Sequence, residues 1–96
     1  MKFEWDENKN RANIAKHGID FNDAKRVFNG PTFTDEEDEY QFGEYRFHTL
    51  GLLDGLVVLM VVHTDREDRL RLISAREATP YERRKFEAAV FPPAYS

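Results

Sequence analysis

The run Leu56-Val57-Val58-Leu59-Met60-Val61-Val62 limits what this chain can fold into more than any other stretch. A strand with one wet face alternates apolar and polar residues. This one is apolar at every position until His63-Thr64, so both of its faces need cover. Seven residues are far too few to span a bilayer. The run is bounded by Leu53-Asp54-Gly55, where Asp-Gly is a strong hairpin signal, and by the polar turn Asp65-Arg66-Glu67-Asp68. The sequence therefore predicts a central, covered strand over 56–64, with antiparallel neighbours at Tyr45–Gly51 and Arg69–Ala75.

The cover has to come from helices at the two ends. Asp6 is a good N-cap and Gly18 a good terminator for a helix between them, although its only clear apolar members are Ala12, Ile14 and Ala15. A second helix is expected from about Asn22 to Phe28, with Phe21 as a hydrophobic staple and Gly30-Pro31 as its stop. Thr79 caps a third, with Pro80 at its first position, running to about Val90 before Pro92-Pro93. Phe3-Glu4-Trp5 and Thr32–Thr34 are short strand candidates. The order is βααββββα: an α+β fold in which an antiparallel meander carries two N-terminal helices and one C-terminal helix. Ninety-six residues with no repeat or linker make one domain, 1–96, with 91–96 as a tail.

Composition narrows the setting. The chain has no cysteine, which excludes disulfides and thiolate metal sites and fits a reducing cytoplasm. The N-terminus is charged within four residues and lacks the apolar segment of a signal peptide. The net charge is −4, yet the acid is concentrated: residues 31–68 hold two Lys/Arg against ten Asp/Glu. Residues 1–30 hold six against five, and residues 69–96 six against three. A local positive patch is compatible with such a chain.

Three groups of residues could carry chemistry. Lys9, Asn13, Lys16 and His17 lie at i, i+4, i+7 and i+8 and share one face of the first helix. A helix C-terminus favours cations, so Lys16 and His17 are well placed to meet an anion; the alternative is a solvated helix whose end His17 helps to cap. In RLRLISAREA, residues 69–78, regular alternation puts Arg69, Arg71 and Ile73 on one face and Leu70, Leu72, Ser74 and Arg76 on the other. Guanidiniums on rigid backbone suit phosphate oxygens, and pairing with acidic neighbours is the plainer use. His63 faces Leu70, away from Arg71, if the hairpin loop is the four residues Asp65–Asp68. A three-residue loop with a bulge would turn it toward Arg71. No metal site is expected, because the histidines at 17, 48 and 63 are not paired. The acidic run Asp35–Glu39 lacks the spacing of a calcium loop and reads as a solvated loop or an edge guard. No Gly-rich phosphate loop or nucleophile elbow occurs, and no cofactor is implied.

Taken in order, Phe3-Glu4-Trp5-Asp6, Lys9, Asn13, Lys16-His17-Gly18, Phe21, Ala24 and Val27-Phe28 resemble the N-terminal half of the BrnT toxins. Glu44-Tyr45-Arg46, Gly51, Val61-Val62-His63-Thr64, Arg71 to Ala78 and Glu82-Arg83 resemble the rest. The resemblance implies a type II toxin–antitoxin module whose toxin is a metal-independent, RelE-like endoribonuclease that arrests translation. It also implies a ribbon-helix-helix antitoxin that neutralises the toxin and binds operator DNA. On that basis Lys16 and His17 are the acid/base candidates, and Arg71 and Arg76 the phosphate and transition-state donors. Lys9, Asn13, Arg69 and Trp5 become RNA contacts, Trp5 by stacking on a base, with His63 in reserve. The rival is a non-catalytic module, such as an inactive toxin relic, whose basic face binds RNA or the antitoxin.

Overall fold

The computed structural model describes residues 1–35, 39–41 and 43–92. Six strands are present among them: β1 (Lys2–Glu4), β2 (Thr32–Thr34), β3 (Glu39–Gln41), β4 (Glu44–Leu53), β5 (Val57–Arg66) and β6 (Arg69–Glu77). The helices are α1 (Glu7–His17), α2 (Phe21–Ala24), which continues as a 3₁₀ segment over Lys25–Asn29, and α3 (Pro80–Val90). The sheet order is β1-β6-β5-β4-β2, with β3 pairing to the far end of β4. The expected α+β architecture is present, with two corrections. β3 is an extra strand, and β1 runs parallel to β6, Phe3 opposite Leu70, so the sheet is more than a meander. Most of the acidic run and the end of the tail lie outside the described residues.

β5 is covered on both faces, as its composition requires. Leu59 and Val61 pack with Phe21, Ala24 and Val27 on one side, while Val58 and Met60 pack with Leu50 and Phe86 on the other. So α2 and the 3₁₀ segment cover one face and α3 the opposite one. Leu56 is not part of the strand. It sits in the Asp54-Gly55-Leu56 turn, 87 % exposed, with its N–H donating to the Leu53 carbonyl. Gly51 allows the 3₁₀ segment to lie against the sheet, since a Cβ there would stand 2.7 Å from Val27 Cβ. Phe21 is the first residue of α2 rather than a staple before it, because Asp20 takes the cap and accepts from the Asn22 N–H.

α1 begins where Asp6 accepts from the N–H groups of Asn8 and Lys9, and ends where Gly18, at φ 71°, donates to the Ile14 carbonyl. Apolar burial does not dock this helix, for Ile14 is exposed. Two asparagines do. Asn10 is 4 % exposed, accepts from the Phe21 N–H at 2.8 Å and donates to Asp20 at 3.0 Å. Asn13 is 7 % exposed; its oxygen accepts from the Ala75 N–H at 3.1 Å, and its amide donates to the carbonyls of Ala75 and Ile19, each at 2.9 Å. β1 pairs with β6 only over Arg69–Arg71, so the Asn13 side chain completes the sheet edge further along.

The Asn13→Ala variant would take their partner from the buried N–H and carbonyl of Ala75 and from the half-buried carbonyl of Ile19. Urea unfolding is expected to show a loss of about 2–4 kcal/mol. A loss below about 0.5 kcal/mol, the range of neutral surface changes, would contradict this role.

Candidate functional site

Because Asn13 holds α1 against the outer edge of β6, the remaining residues of the same helical face overhang that edge. Lys9, Ala12, Asn13, Lys16 and His17 form one wall of a cavity of ≈ 260 Å³, and Ile73 and Ser74 of β6 form the other. Among the described residues, the side chains of Lys9, Lys16 and His17 make no ion pair or hydrogen bond. Other cations of the chain are occupied: Arg26 by Asp54 and Asp23, Arg76 by Glu82, Lys85 by Asp35. The cavity therefore gathers uncompensated positive charge beside a serine and a helix C-terminus. That combination suits an anion with proton-transfer groups near it.

The opposite wall depends on a β-bulge. β6 pairs with β5 as Leu72 opposite His63, then Ser74 opposite Val62, leaving Ile73 as the extra residue. Regular alternation fails at this point, and the expected faces are corrected. Ser74 and Arg76 lie on the side of Arg69 and Arg71, while Ala75 joins Leu70 and Leu72 in the core. The bulge thus places every arginine of RLRLISAREA on one side of the sheet, with Ser74 bridging to the cavity.

The sequence-derived candidates fall into separate groups. Lys9, Asn13, Lys16 and His17 stand together, although the Asn13 amide is fully engaged with backbone. Arg69 and Arg71 flank Glu4, with nitrogens 3.6 and 3.9 Å from its Oε2. Arg76 reaches α3, where it donates to both oxygens of Glu82 at 2.7 and 2.9 Å. Trp5 packs edge-on against Phe21, its indole N–H donating to Glu7 and Lys25 lying over its ring. His63 is 3 % exposed and lies on the α2 side, away from Arg71. Its Nε2 is 2.7 Å from Thr49 Oγ1 and its Nδ1 2.8 Å from Asp65, and Thr49 meets Thr34 at 2.8 Å. Neither expected loop length holds, because the hairpin turns on two residues, Glu67-Asp68, with Glu67 at φ 40°. Ser74 was missed as a site residue, since nothing in the sequence marks Ile73 as a bulge. Among the described residues, no group of three or more His, Cys, Asp or Glu could hold a metal ion.

Glu82 does two jobs at the start of α3, accepting from the Thr79 N–H at 2.9 Å as well as from Arg76. The Arg76 guanidinium first, and the Thr79 N–H after it, hold the Glu82 carboxyl at about 2, below its ordinary 4.5. A lowered carboxyl adds stability that is complete above the ordinary value and is lost as pH falls toward the lowered one. The stability gap between the parent and Arg76→Gln is therefore expected to shrink as pH drops from about 4.5 to about 2. Urea unfolding across that range measures it, and a gap independent of pH would contradict the assignment.

Residues 5–82 match the family model described as the ribonuclease toxin BrnT of type II toxin–antitoxin systems. The 1.1 Å crystal structure of the Brucella abortus ribonuclease toxin BrnT superposes with a TM-score of 0.62 at 33% sequence identity. The match covers 82% of this chain and 97% of that one. None of the curated proteins matches. The chain belongs to the BrnT family of ribonuclease toxins of type II toxin–antitoxin systems.

Proposed function

We propose that the protein is the toxin of such a module and cuts RNA without a metal ion, using the cavity between α1 and the β6 bulge. The observation that carries this reading is the set of basic side chains without a partner among the described residues, Lys9, Lys16 and His17, that line one cavity with Ser74. RNA carries its own nucleophile. A base takes the proton of a ribose 2′-OH, the oxygen attacks the adjacent phosphorus, and the P–O5′ bond breaks as an acid protonates the leaving oxygen. The products end in a 2′,3′-cyclic phosphate and a 5′-OH. His17 and Lys16 are the proton-transfer groups; Lys9 holds the phosphate and the charge that develops on it, and Arg71, on the same side of β6 as Ser74, holds the RNA backbone beside it. Arg76, held by Glu82, acts as a positioning residue for the strand end and α3.

The wider setting follows the same reading. The fold is RelE-like, the target is messenger RNA in the cytoplasm, and cleavage arrests translation. A ribbon-helix-helix antitoxin neutralises the toxin and binds their operator DNA. No helix among the described residues is long and apolar enough to cross a membrane.

The test uses labelled single-stranded RNA in EDTA, alone and in a translating extract. The parent protein is expected to give cyclic-phosphate ends, with the rate reduced about a hundredfold or more in His17→Ala and strongly in Arg71→Gln. RNA left intact in both settings would support the rival, a module whose basic face only binds. Cleavage unaffected by His17→Ala would move the chemistry away from this cavity.

A further inference from the structure

Two buried polar atoms have no hydrogen-bond partner among the described residues: the Nε of Arg46 and the Oγ1 of Thr64. Thr64 is only 1 % exposed. An unpaired donor at that depth costs stability, so folded proteins keep few of them. These two belong to one place. Their neighbours Phe47 and His63 are cross-strand partners whose rings stack on the α2 side, so alternation turns Arg46 and Thr64 to the other side. The β4–β5 pairing ends at Phe47–His63, Arg46 and Thr64 each lie one residue beyond it on their own strands, and the Arg66–Glu44 hydrogen bond at 3.2 Å still joins the strands further on.

Thr64 lies opposite Arg71 on its other flank. Arg71 is held only loosely, with 3.9 Å between its Nη1 and Glu4 Oε2, longer than a hydrogen bond. The apolar contacts of α3 on this side are with Leu50, Val58 and Met60, so the row Arg46–Thr64–Arg71 lies past the helix along the strands. Ser74 is on the same side of the sheet as the row and also lines the α1 cavity.

An arginine N–H and a threonine hydroxyl can both donate, and an anion with several acceptor oxygens can satisfy both at once. Among the described side chains the nearby acids are already engaged, Glu4 shared by Arg69 and Arg71 and Glu44 accepting from Arg66, while Glu39 of β3 stands opposite Arg46 in the ladder. We propose that Arg46, Thr64 and Arg71 form a second phosphate subsite, which grips the RNA backbone beside the bond held at the α1 cavity. Unpaired donors in the free protein are completed by the ligand, so the subsite costs stability until it is filled. The identity of the ligand as RNA rests on the ribonuclease reading above; the anion site itself does not.

The test compares the parent with Thr64→Val, nearly the same shape without the hydroxyl, and with Arg46→Lys, which keeps charge but loses the Nε donor. Two probes are used: a 2′-O-methylated RNA that cannot be cleaved, followed by fluorescence anisotropy, and inorganic phosphate, followed by its effect on Tm. Thr64→Val is expected to melt at or above the parent temperature while binding the RNA roughly tenfold more weakly. Arg46→Lys is expected to bind comparably weakly, and phosphate to raise the Tm of the parent more than that of either variant. If both variants bind RNA like the parent, the subsite is wrong and the ribonuclease reading stands. If phosphate discriminates among the proteins but the RNA does not bind, the subsite stands and RNA is not its ligand. A Thr64→Val protein with lowered Tm and parental affinity means that the hydroxyl is structural, and a parent that responds to neither probe overturns the proposal.

Discussion

The Asn13 side chain is the contact on which the site depends. A helix with so little apolar surface cannot be held by burial, and the open edge of β6 cannot be left bare at Ala75. One amide meets both needs, giving an acceptor to the Ala75 N–H and donors to the carbonyls of Ala75 and Ile19. Asn10 fixes the other end of the contact through Phe21 and Asp20. Directional bonds allow less rotation than a greasy contact, so the face carrying Lys9, Lys16 and His17 is set in one orientation over the strand. The polarity of α1 thus has two causes: amides that dock the helix and cations that line the cavity.

The bulge at Ile73 is the second constraint. Without it, Ser74 and Arg76 would point into the α2 core and the leucine face would be interrupted by a charge. With it, the strand keeps Leu70, Leu72 and Ala75 inside, and Arg69, Arg71, Ser74 and Arg76 come to the other side. Bulges often re-aim side chains at functional sites, and here one extra residue joins a basic sheet face to the cavity at its edge. Arg76 is held at the start of α3 by Glu82, which leaves Arg71 as the more loosely paired of these two cations.

Much of this was legible in the sequence because it follows from pattern. The unbroken apolar run required a covered central strand, and the caps at Asp6, Gly18 and Thr79 marked where helices start and stop. The i, i+4, i+7, i+8 spacing grouped Lys9, Asn13, Lys16 and His17, and the structure places all four along one cavity. What pattern could not supply was pairing. The parallel contact of β1 with β6 is a choice of partner that alternation does not encode, and the two-residue turn at Glu67-Asp68 needs a left-handed glutamate that propensity would not select. The bulge followed from neither composition nor spacing. Asn13 shows the same limit at one residue: its place on the helical face was visible, but the three bonds that occupy its amide depend on a strand 62 positions away.

The most direct measurement is the footprint of a non-cleavable RNA on the folded protein, read residue by residue from backbone amide shifts in NMR titration. Shifts concentrated on 9–17 of α1 and on 71–76 around the bulge are expected, with β2 and the second half of α3 silent. Shifts confined to β2 or to α3, with α1 and the bulge unmoved, would contradict the placement of the site.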